Sequence, residues 1–273
     1  MPSNEDVAAN RMSDFVEVED LGPVRFIHLN RPDVRNAINV RMLLALRRAV
    51  RAAEDEPTVR AVVFAGRGPA FSAGADVKEW AEMQAGRNPH PDHDWVGEAV
   101  QLVQEVMRLP KPTIAMIDGA AVGAGLDMAL ACDFRIVSTR AKFICAYTWV
   151  GYPPDCGGSW LLPRLIGVEA AKLFVYTGDT WDAVKAKDAG MVSEVVAPED
   201  LASRVTAMAQ KLASGPTVAI GLAKQLIDAA HRRSFPEQLA EEQRAGKICA
   251  RTDDHAEGLA AANEKRMPVF KGR

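Results

Sequence analysis

Cysteine is scarce in this chain of 273 residues, which has Cys132, Cys145, Cys156 and Cys249 and no others. No two of them have the Cys-x-x-Cys spacing, which argues against both a zinc site and a disulfide framework. Cys145 and Cys156 are predicted to be buried packing residues, because no histidine is spaced to activate either thiol. We therefore expect reduced cysteines and a cytoplasmic protein.

An excess of basic charge is also missing, since 33 Lys and Arg face 36 Asp and Glu, giving a net charge of −3. This balance argues against nucleic acid as the main partner. The longest apolar stretch, residues 112–132, is interrupted by Asp118, Asp127 and several glycines, so it predicts a strand and a buried helix rather than a membrane span. Residues 1–13 are polar and resemble no signal peptide, and we expect them to be a disordered extension.

No complete nucleotide-binding motif is found. GRG at residues 66–68 and GAG at residues 123–125 each begin a glycine-rich pattern, but Phe71 and Met128 occupy the place of the third glycine. A Gly-Lys-Ser/Thr phosphate loop does not occur either. These absences argue against a nicotinamide cofactor.

The sequence does contain an alternation of β-rich and helical segments, which is typical of an α/β protein with parallel strand pairing. The pattern predicts a hairpin at residues 15–30, helices at residues 39–54 and 95–109, and buried strands at residues 59–66, 111–119, 134–139 and 191–198. After about residue 198 the pattern becomes wholly helical and ends in a charged tail. We therefore divide the chain into the extension 1–13, an α/β core at 14–198 and a helical region at 199–273.

Two turns of small residues, FSAGAD at 71–76 and GAAVGAGLD at 119–127, each follow a strand and lead into a helix. Small residues let a ligand approach the main chain closely, and the free N–H groups at a helix start favour an oxyanion. Two such donors that meet at one point would polarise a carbonyl group and stabilise its enolate. Either turn alone could be an ordinary tight turn, but the presence of both favours this function.

Four segments together resemble the enoyl-CoA hydratase/isomerase family, also called the crotonase superfamily. They are LNRPDVRNAI (29–38), AFSAGADVKE (70–79), KPTIAMIDGAAVGAGLDMALACDFRI (111–136) and EKRMPVFKG (264–272). The resemblance implies a crotonase-like spiral of ββα units and a helical C-terminal region that assembles a homotrimer or a dimer of trimers. It also implies an acyl-CoA thioester as substrate with no separate cofactor, and an oxyanion hole formed by the main-chain N–H groups of Ala75 and Ala124.

The same resemblance implies a binding site for coenzyme A near the first glycine turn. Lys78 matches a position at which relatives place a lysine close to the phosphates of CoA, and Arg31, Ala73 and Asp76 are the other candidates. The arginines of the helix at 39–54 are further possible contacts of CoA, but a solvated face is the favoured interpretation, because runs of charge usually form one.

The usual pair of catalytic glutamates is broken in this chain. Family hydratases typically have glutamates at the positions of Asp127 and Tyr147, and tyrosine is a poor base near neutral pH since its reference pKa is about 10. Asp155 stands eight residues beyond Tyr147, within AYTWVGYPPDCGG (146–158), where dienoyl-CoA isomerases and an aryl-CoA dehalogenase also carry an aspartate. The dehalogenase adds a histidine at the position of Val100, and neither His90 nor His93 matches it.

We predict that Asp155 and Asp127 carry protons beside the enolate and that Tyr147 orients the substrate. Two aspartates can move a proton between carbons when apolar surroundings raise one of their pKa values. Hydration or isomerisation of a double bond is the predicted reaction. Hydrolytic chemistry at Asp155, either dehalogenation or ring cleavage, and acyl-CoA binding without turnover are the alternatives.

Overall fold

The computed structural model describes residues 15–273, so the predicted extension 1–13 lies outside the described residues. Ten strands form two sheets. The strands are β1 Val16–Leu21, β2 Val24–Leu29, β3 Ala61–Gly66, β4 Ala70–Ser72, β5 Thr113–Ile117, β6 Ala120–Val122, β7 Phe134–Ser138, β8 Lys142–Ile144, β9 Thr180–Asp182 and β10 Glu194–Val196. The α-helices are α1 Val40–Asp55, α2 Val77–Gln84, α3 Trp95–Arg108, α4 Ala124–Ala131, α5 Gly158–Ile166, α6 Val168–Thr177, α7 Ala183–Asp188, α8 Leu201–Ala213, α9 Thr217–Ala229, α10 Phe235–Cys249 and α11 Asp253–Glu264.

The predicted hairpin is confirmed: β1 and β2 pair antiparallel, with Val16 opposite Leu29 and Gly22 in the turn at φ +59°. The larger sheet has the order β1-β2-β3-β5-β7-β10, and every pairing in it after the hairpin is parallel. The strands β2, β3 and β5 are almost entirely buried and rich in β-branched residues, as expected for parallel strands covered on both faces.

The strands β3, β5 and β7 of the larger sheet are each followed by a three-residue strand of the smaller sheet, which has the order β4-β6-β8-β9. The partners β4, β6 and β8 pair parallel with one another, so each ββα unit is stacked on the preceding one. This is the spiral that the resemblance implies, and the predicted fold class is confirmed. It brings the turns that follow β4 and β6 to the same side of the molecule.

The helix α1 begins where the sequence predicts, because the side chain of Asn39 accepts a hydrogen bond from the N–H of Met42. One of its arginines departs from the predicted solvated face. Arg47 is 8% exposed and forms an ion pair of 2.9 Å with Glu105 and a second ion pair with Glu98, both on α3. Arg47 therefore joins two helices of the core.

The helices after residue 198 do not all stand apart from the α/β core. The apolar face of α8 packs on the larger sheet, where Leu201 and Val205 lie in one cluster with Phe26 and Val63. The segment predicted to be a charged tail instead forms α10 and α11. Both helices begin at strong N-caps, a capping box of Ser234 with Glu237 and the Thr252 side chain, which an argument from apolar periodicity had passed over.

The stretch 112–132 contains the predicted strand and buried helix, β5 and α4, with the unpredicted short strand β6 between them. Among residues 15–273, no helix combines the length and the apolar character that a membrane span requires.

Candidate active site

The two glycine turns lie against each other. A Cβ atom placed on Gly74 would be 2.8 Å from the carbonyl oxygen of Val122 and 3.8 Å from the main-chain nitrogen of Ala124. Gly74 also has φ +85°, a conformation that favours glycine. Glycine at this position therefore lets the turn after β4 contact the turn that begins α4.

The main-chain N–H groups of Ala75 and Ala124 have no acceptor among residues 15–273. Ile38 pairs with the neighbours of Ala75: its N–H donates to Gly74 O at 2.7 Å, and its carbonyl accepts from Asp76 N at 2.9 Å. This parallel bridge turns the N–H of Ala75 away from Ile38. Ala124 is the first residue of α4, where a helix has no internal partner for its N–H.

Asp127 lies in the first turn of α4 and is completely buried. Its Oδ2 atom accepts a hydrogen bond of 2.5 Å from the hydroxyl of Tyr147, which is 7% exposed. Its Oδ1 atom has no partner of normal hydrogen-bond geometry in the described part of the chain, and a Cβ atom on Gly158 would be only 2.4 Å from it. The carboxyl group thus contacts Tyr147 on one side and the start of α5 on the other.

Burial raises the pKa of Asp127 to about 7. The hydrogen bond from Tyr147 and the nearby main-chain N–H groups of Gly158 and Cys156 lower this pKa, and the charge of Asp155 raises it further. Burial beside this carboxyl also raises the pKa of Tyr147 well above its usual value of 10, so its hydroxyl keeps its proton and acts as the donor.

The raised pKa predicts a pH-dependent loss of stability. The protonated carboxyl group of Asp127 stabilises the folded state. This contribution to the free energy of unfolding is complete below about pH 4 and is lost as the pH rises through the folded pKa of about 7. Asn at position 127 does not titrate. From pH 4 to pH 8, the free energy of unfolding of Asp127→Asn should therefore rise relative to the native chain by roughly 4 kcal/mol, since each pKa unit corresponds to about 1.36 kcal/mol. Urea unfolding at a series of pH values measures this difference.

A matched control is Asp179→Asn, which removes an exposed carboxylate. This control undergoes the same series of urea unfolding measurements. Parallel curves for Asp127→Asn and the native chain would show that Asp127 ionises in the folded protein like an exposed aspartate.

Asp155 precedes α5 and is half-buried. Burial raises its pKa, while the thiol of Cys156, which donates to Oδ1 at 3.4 Å, lowers it. The carboxyl group lines a cavity of about 500 Å³ between α3 and the C-terminal helices. The side chains around the cavity, besides Asp155 and Cys156, are Val100, Val103, Gln104, Met107, Arg108, Trp160, Leu161, Gln225, Asp228 and Arg232.

The polar side chains of this cavity were not predicted from the sequence. Gln104 and Arg108 come from α3, whereas Gln225, Asp228 and Arg232 come from about seventy residues beyond Asp155. Each lies on an otherwise ordinary amphipathic segment, so nothing in the local pattern marks it. The predicted packing cysteines, in contrast, are buried as expected, and burial raises the pKa of the Cys145 and Cys156 thiols far above their usual value.

The four candidates for CoA binding differ in whether they already bind other groups of the protein. Arg31 forms a 2.9 Å ion pair with Asp76, and both side chains are largely buried. Asp76 also caps α2 by accepting from the N–H of Lys78 at 3.2 Å. The side chain of Lys78 is exposed at the start of α2, and Ala73 is held close by through a hydrogen bond from its N–H to Arg35 O at 2.8 Å.

The aromatic residues near the Pro-Pro turn do not share one environment. Tyr152 contacts Trp80 edge to face with ring centres 5.7 Å apart, and Trp80 contacts Trp95 in the same way at 5.3 Å. Trp160 lines the cavity beside Asp155, and the guanidinium of Arg164 lies 3.6 Å from its ring centre. Trp149 is 62% exposed and lies mostly in solvent.

Comparison with known proteins agrees with this architecture. The sequence profile described as "Enoyl-CoA hydratase/isomerase" matches residues 21–273. A 1,2-epoxyphenylacetyl-CoA isomerase of Escherichia coli is 36% identical over 267 residues, covering 96% of this chain and 100% of that protein. A crotonyl-CoA hydratase of Syntrophomonas wolfei is 34% identical, over 89% of this chain and 93% of that protein. The crystal structure of an enoyl-CoA hydratase from Bacillus anthracis superposes with a TM-score of 0.87 at 35% identity, covering 95% of this chain and all of the other.

The fold and these matches define an enzyme of the crotonase type. The chain belongs to the enoyl-CoA hydratase/isomerase family.

Proposed function

We propose that this enzyme moves a double bond within an acyl-CoA thioester and that Asp155 carries the proton. The observation on which this depends is the contrast between the two aspartates: Asp155 lines an open cavity, whereas Asp127 is completely buried. Hydration needs one group to activate water and another to protonate the α carbon. Isomerisation needs one carboxylate that removes a proton from one carbon and returns it to another, and a single accessible aspartate suits that reaction better.

The proposed reaction has two balanced steps. The carboxylate of Asp155 takes a proton from the α carbon of a 3-enoyl thioester, and the electron pair of that C–H bond moves onto the thioester oxygen to give a dienolate that extends to the γ carbon. The N–H groups of Ala75 and Ala124 then stabilise this enolate, since neither has an acceptor within residues 15–273 and the two lie on adjoining turns. When the carbonyl forms again, Asp155 returns the proton to the γ carbon, and the double bond then lies between the α and β carbons. The raised pKa of Asp155 helps the carboxyl group to act both as base and as acid.

For coenzyme A, we propose that Lys78 contacts a phosphate group, because its ammonium group is exposed beside the first glycine turn. Arg31, Asp76 and Ala73 have a supporting role in this proposal. The ion pair of Arg31 with Asp76 and the hydrogen bond of Ala73 fix the turn against which the CoA chain would lie.

A second candidate is the isomerisation of a ring-bearing acyl group by the same residues. Its support is the Escherichia coli relative, which matches over its full length and is named a 1,2-epoxyphenylacetyl-CoA isomerase. The aromatic contacts of Trp80 with Tyr152 and Trp95 would suit a ring. Dehalogenation has less support, because Val100, which lines the cavity with Asp155, cannot act as a base.

The test is to incubate the protein with a 3-enoyl-, a 2-enoyl-, a dienoyl- and an aryl-CoA thioester while absorbance and mass are recorded. Isomerisation predicts that the 3-enoyl thioester gains conjugated absorbance without a change in mass. A gain in mass of one water molecule would instead indicate hydration, and release of free CoA or halide from the substrate would indicate hydrolytic chemistry. Tight binding of every thioester without conversion would overturn the proposal in favour of an acyl-CoA binder.

We also propose that the subunits associate as trimers through the C-terminal region. Large apolar side chains on α10, α11 and the segment after them are exposed in one chain, among them Phe235 at 75%, Leu259 at 56% and Met267 at 84%. Exposed apolar surface of this kind typically marks a protein–protein contact.

A further inference from the structure

The loop that carries Asp155 begins and ends at the same buried carboxyl group. At the beginning of the loop, the hydroxyl of Tyr147 donates a hydrogen bond to Asp127. The main-chain carbonyl oxygen of Tyr147 accepts from the N–H groups of Val150 at 3.1 Å and Tyr152 at 3.0 Å. At its end, Gly158 lies against the other carboxyl oxygen of Asp127. Asp155 lies between these two contacts, three residues before Gly158.

Asp127 also belongs to the helix that carries the second of the two free N–H groups. Its own N–H donates to Gly123 O at 2.9 Å, and Ala124 is the next residue after Gly123. One side chain therefore joins the turn that would stabilise the enolate to both ends of the loop that would move the proton.

No cation neutralises Asp127 among the residues that the structure describes. The titratable groups that face it are Tyr147 and Cys145 from the segment after β8, and Asp155 and Cys156 from the segment before α5. The thiols keep their protons, and Asp155 is of like charge. The hydroxyl of Tyr147 is thus its one side-chain hydrogen-bond donor within the described residues. Removal of that hydroxyl would leave a buried carboxyl oxygen without a partner, which is costly enough to displace the loop.

We propose that Asp127 and Tyr147 form a positioning pair that fixes Asp155 relative to the N–H group of Ala124, and that Asp127 exchanges no proton with the substrate. This inference rests on the proposed isomerisation and assigns a structural task to the two positions at which hydratases of the family carry glutamates. What matters at position 127 is then a hydrogen-bond acceptor of the right shape rather than an acid.

The two roles predict opposite results for Asp127→Asn. The amide oxygen of Asn can still accept from Tyr147, so a positioning pair predicts a kcat within about threefold of the native value. Tyr147→Phe should lower kcat by about ten- to hundred-fold, because a displacement of about 1 Å at a catalytic group has an effect of that size. KM should stay within about twofold in both variants, since neither residue is placed at the CoA site. Tyr176→Phe, the same chemical change at an exposed tyrosine, is the matched control.

Amide hydrogen exchange measured by mass spectrometry supplies a readout that does not depend on turnover. In Tyr147→Phe, peptides that cover residues 148–157 should exchange at least several-fold faster than in the native protein, whereas Asp127→Asn and Tyr176→Phe should leave them unchanged. Faster exchange would support the positioning pair even if no thioester were converted, and such a lack of conversion would overturn only the proposed reaction.

Two results would overturn the inference itself. One is a loss of activity in Asp127→Asn as large as that in Asp155→Asn, while residues 148–157 still exchange their amide hydrogens as slowly as in the native protein. Such a result would make Asp127 a proton carrier. The other is a Tyr147→Phe variant that matches Tyr176→Phe in both kcat and hydrogen exchange.

Discussion

Replacement of Asp155 by Asn should reduce isomerisation by about a thousandfold, within the range by which general acid–base residues accelerate reactions. The amide has nearly the same shape as the carboxylate but cannot take a proton from carbon. Asp155 lines the cavity beside α3 and is the accessible one of the two predicted proton carriers. The rate of conjugation of a 3-enoyl thioester measures the loss, and calorimetric titration with the same thioester should show affinity within a few-fold of the native value.

The variant should also lose the exchange of substrate hydrogen for deuterium in D₂O, which reports proton removal even when no net reaction occurs. Asp179→Asn, at an exposed aspartate, should retain full exchange and full turnover. An Asp155→Asn variant that still exchanges deuterium would mean that another group removes the proton. In the native enzyme the rate should fall in acid as Asp155 is protonated, at a pH above that of an exposed aspartate because burial raises its pKa.

The second large effect is expected at Gly74. The Cβ of alanine would lie 2.8 Å from Val122 O, closer than such atoms come in folded proteins, and the backbone conformation at φ +85° disfavours a side chain as well. Gly74→Ala should therefore separate the two turns and remove one donor from the enolate. Removal of one donor from an oxyanion hole typically lowers kcat by about a hundredfold or more.

Gly86→Ala is the control that shares the backbone strain of Gly74→Ala but not its steric clash. Gly86 has a similar φ of +73°, but a Cβ atom there would have no neighbour within 4 Å. Both variants should lose stability because of the backbone conformation, Gly74→Ala should lose more because of the clash, and only Gly74→Ala should lose turnover. The far-UV circular dichroism of each variant shows whether it is folded. A folded Gly74→Ala variant with nearly native kcat would show that the contact between the turns is not needed for the reaction.

The sequence predicted the long elements of the fold because their residues carry a local pattern. The helix α1 shows apolar residues at helical spacing after Asn39, and β3 is a short run of β-branched residues that ends in glycine. The strands β4, β6, β8 and β9 have three residues each, which is too short for any period to be visible. The strands β4, β6 and β8 form because the longer strands that precede them are already aligned in the spiral, and β9 adds to β8 as an antiparallel partner.

The candidate site divides in the same way. The two glycine turns and Asp155 could be found from residue types and from the family resemblance. The different surroundings of the two aspartates could not be predicted, because burial of Asp127 and exposure of Asp155 to the cavity depend on contacts between residues 20 or more positions apart. The family resemblance predicts a glutamate at the position of Tyr147, and only the folded chain shows that the tyrosine hydroxyl is directed at Asp127.

By itself, the sequence determined the α/β class, the family and the set of acidic and glycine residues from which a thioester site can be built. These properties follow from side-chain chemistry and from the spacing of apolar residues along short segments, and both can be read from neighbouring residues alone. The tertiary structure alone decided which carboxyl group is buried and which lines a cavity. Burial depends on every segment that packs around a group, and α3, α5 and the C-terminal helices come together only when the whole chain folds.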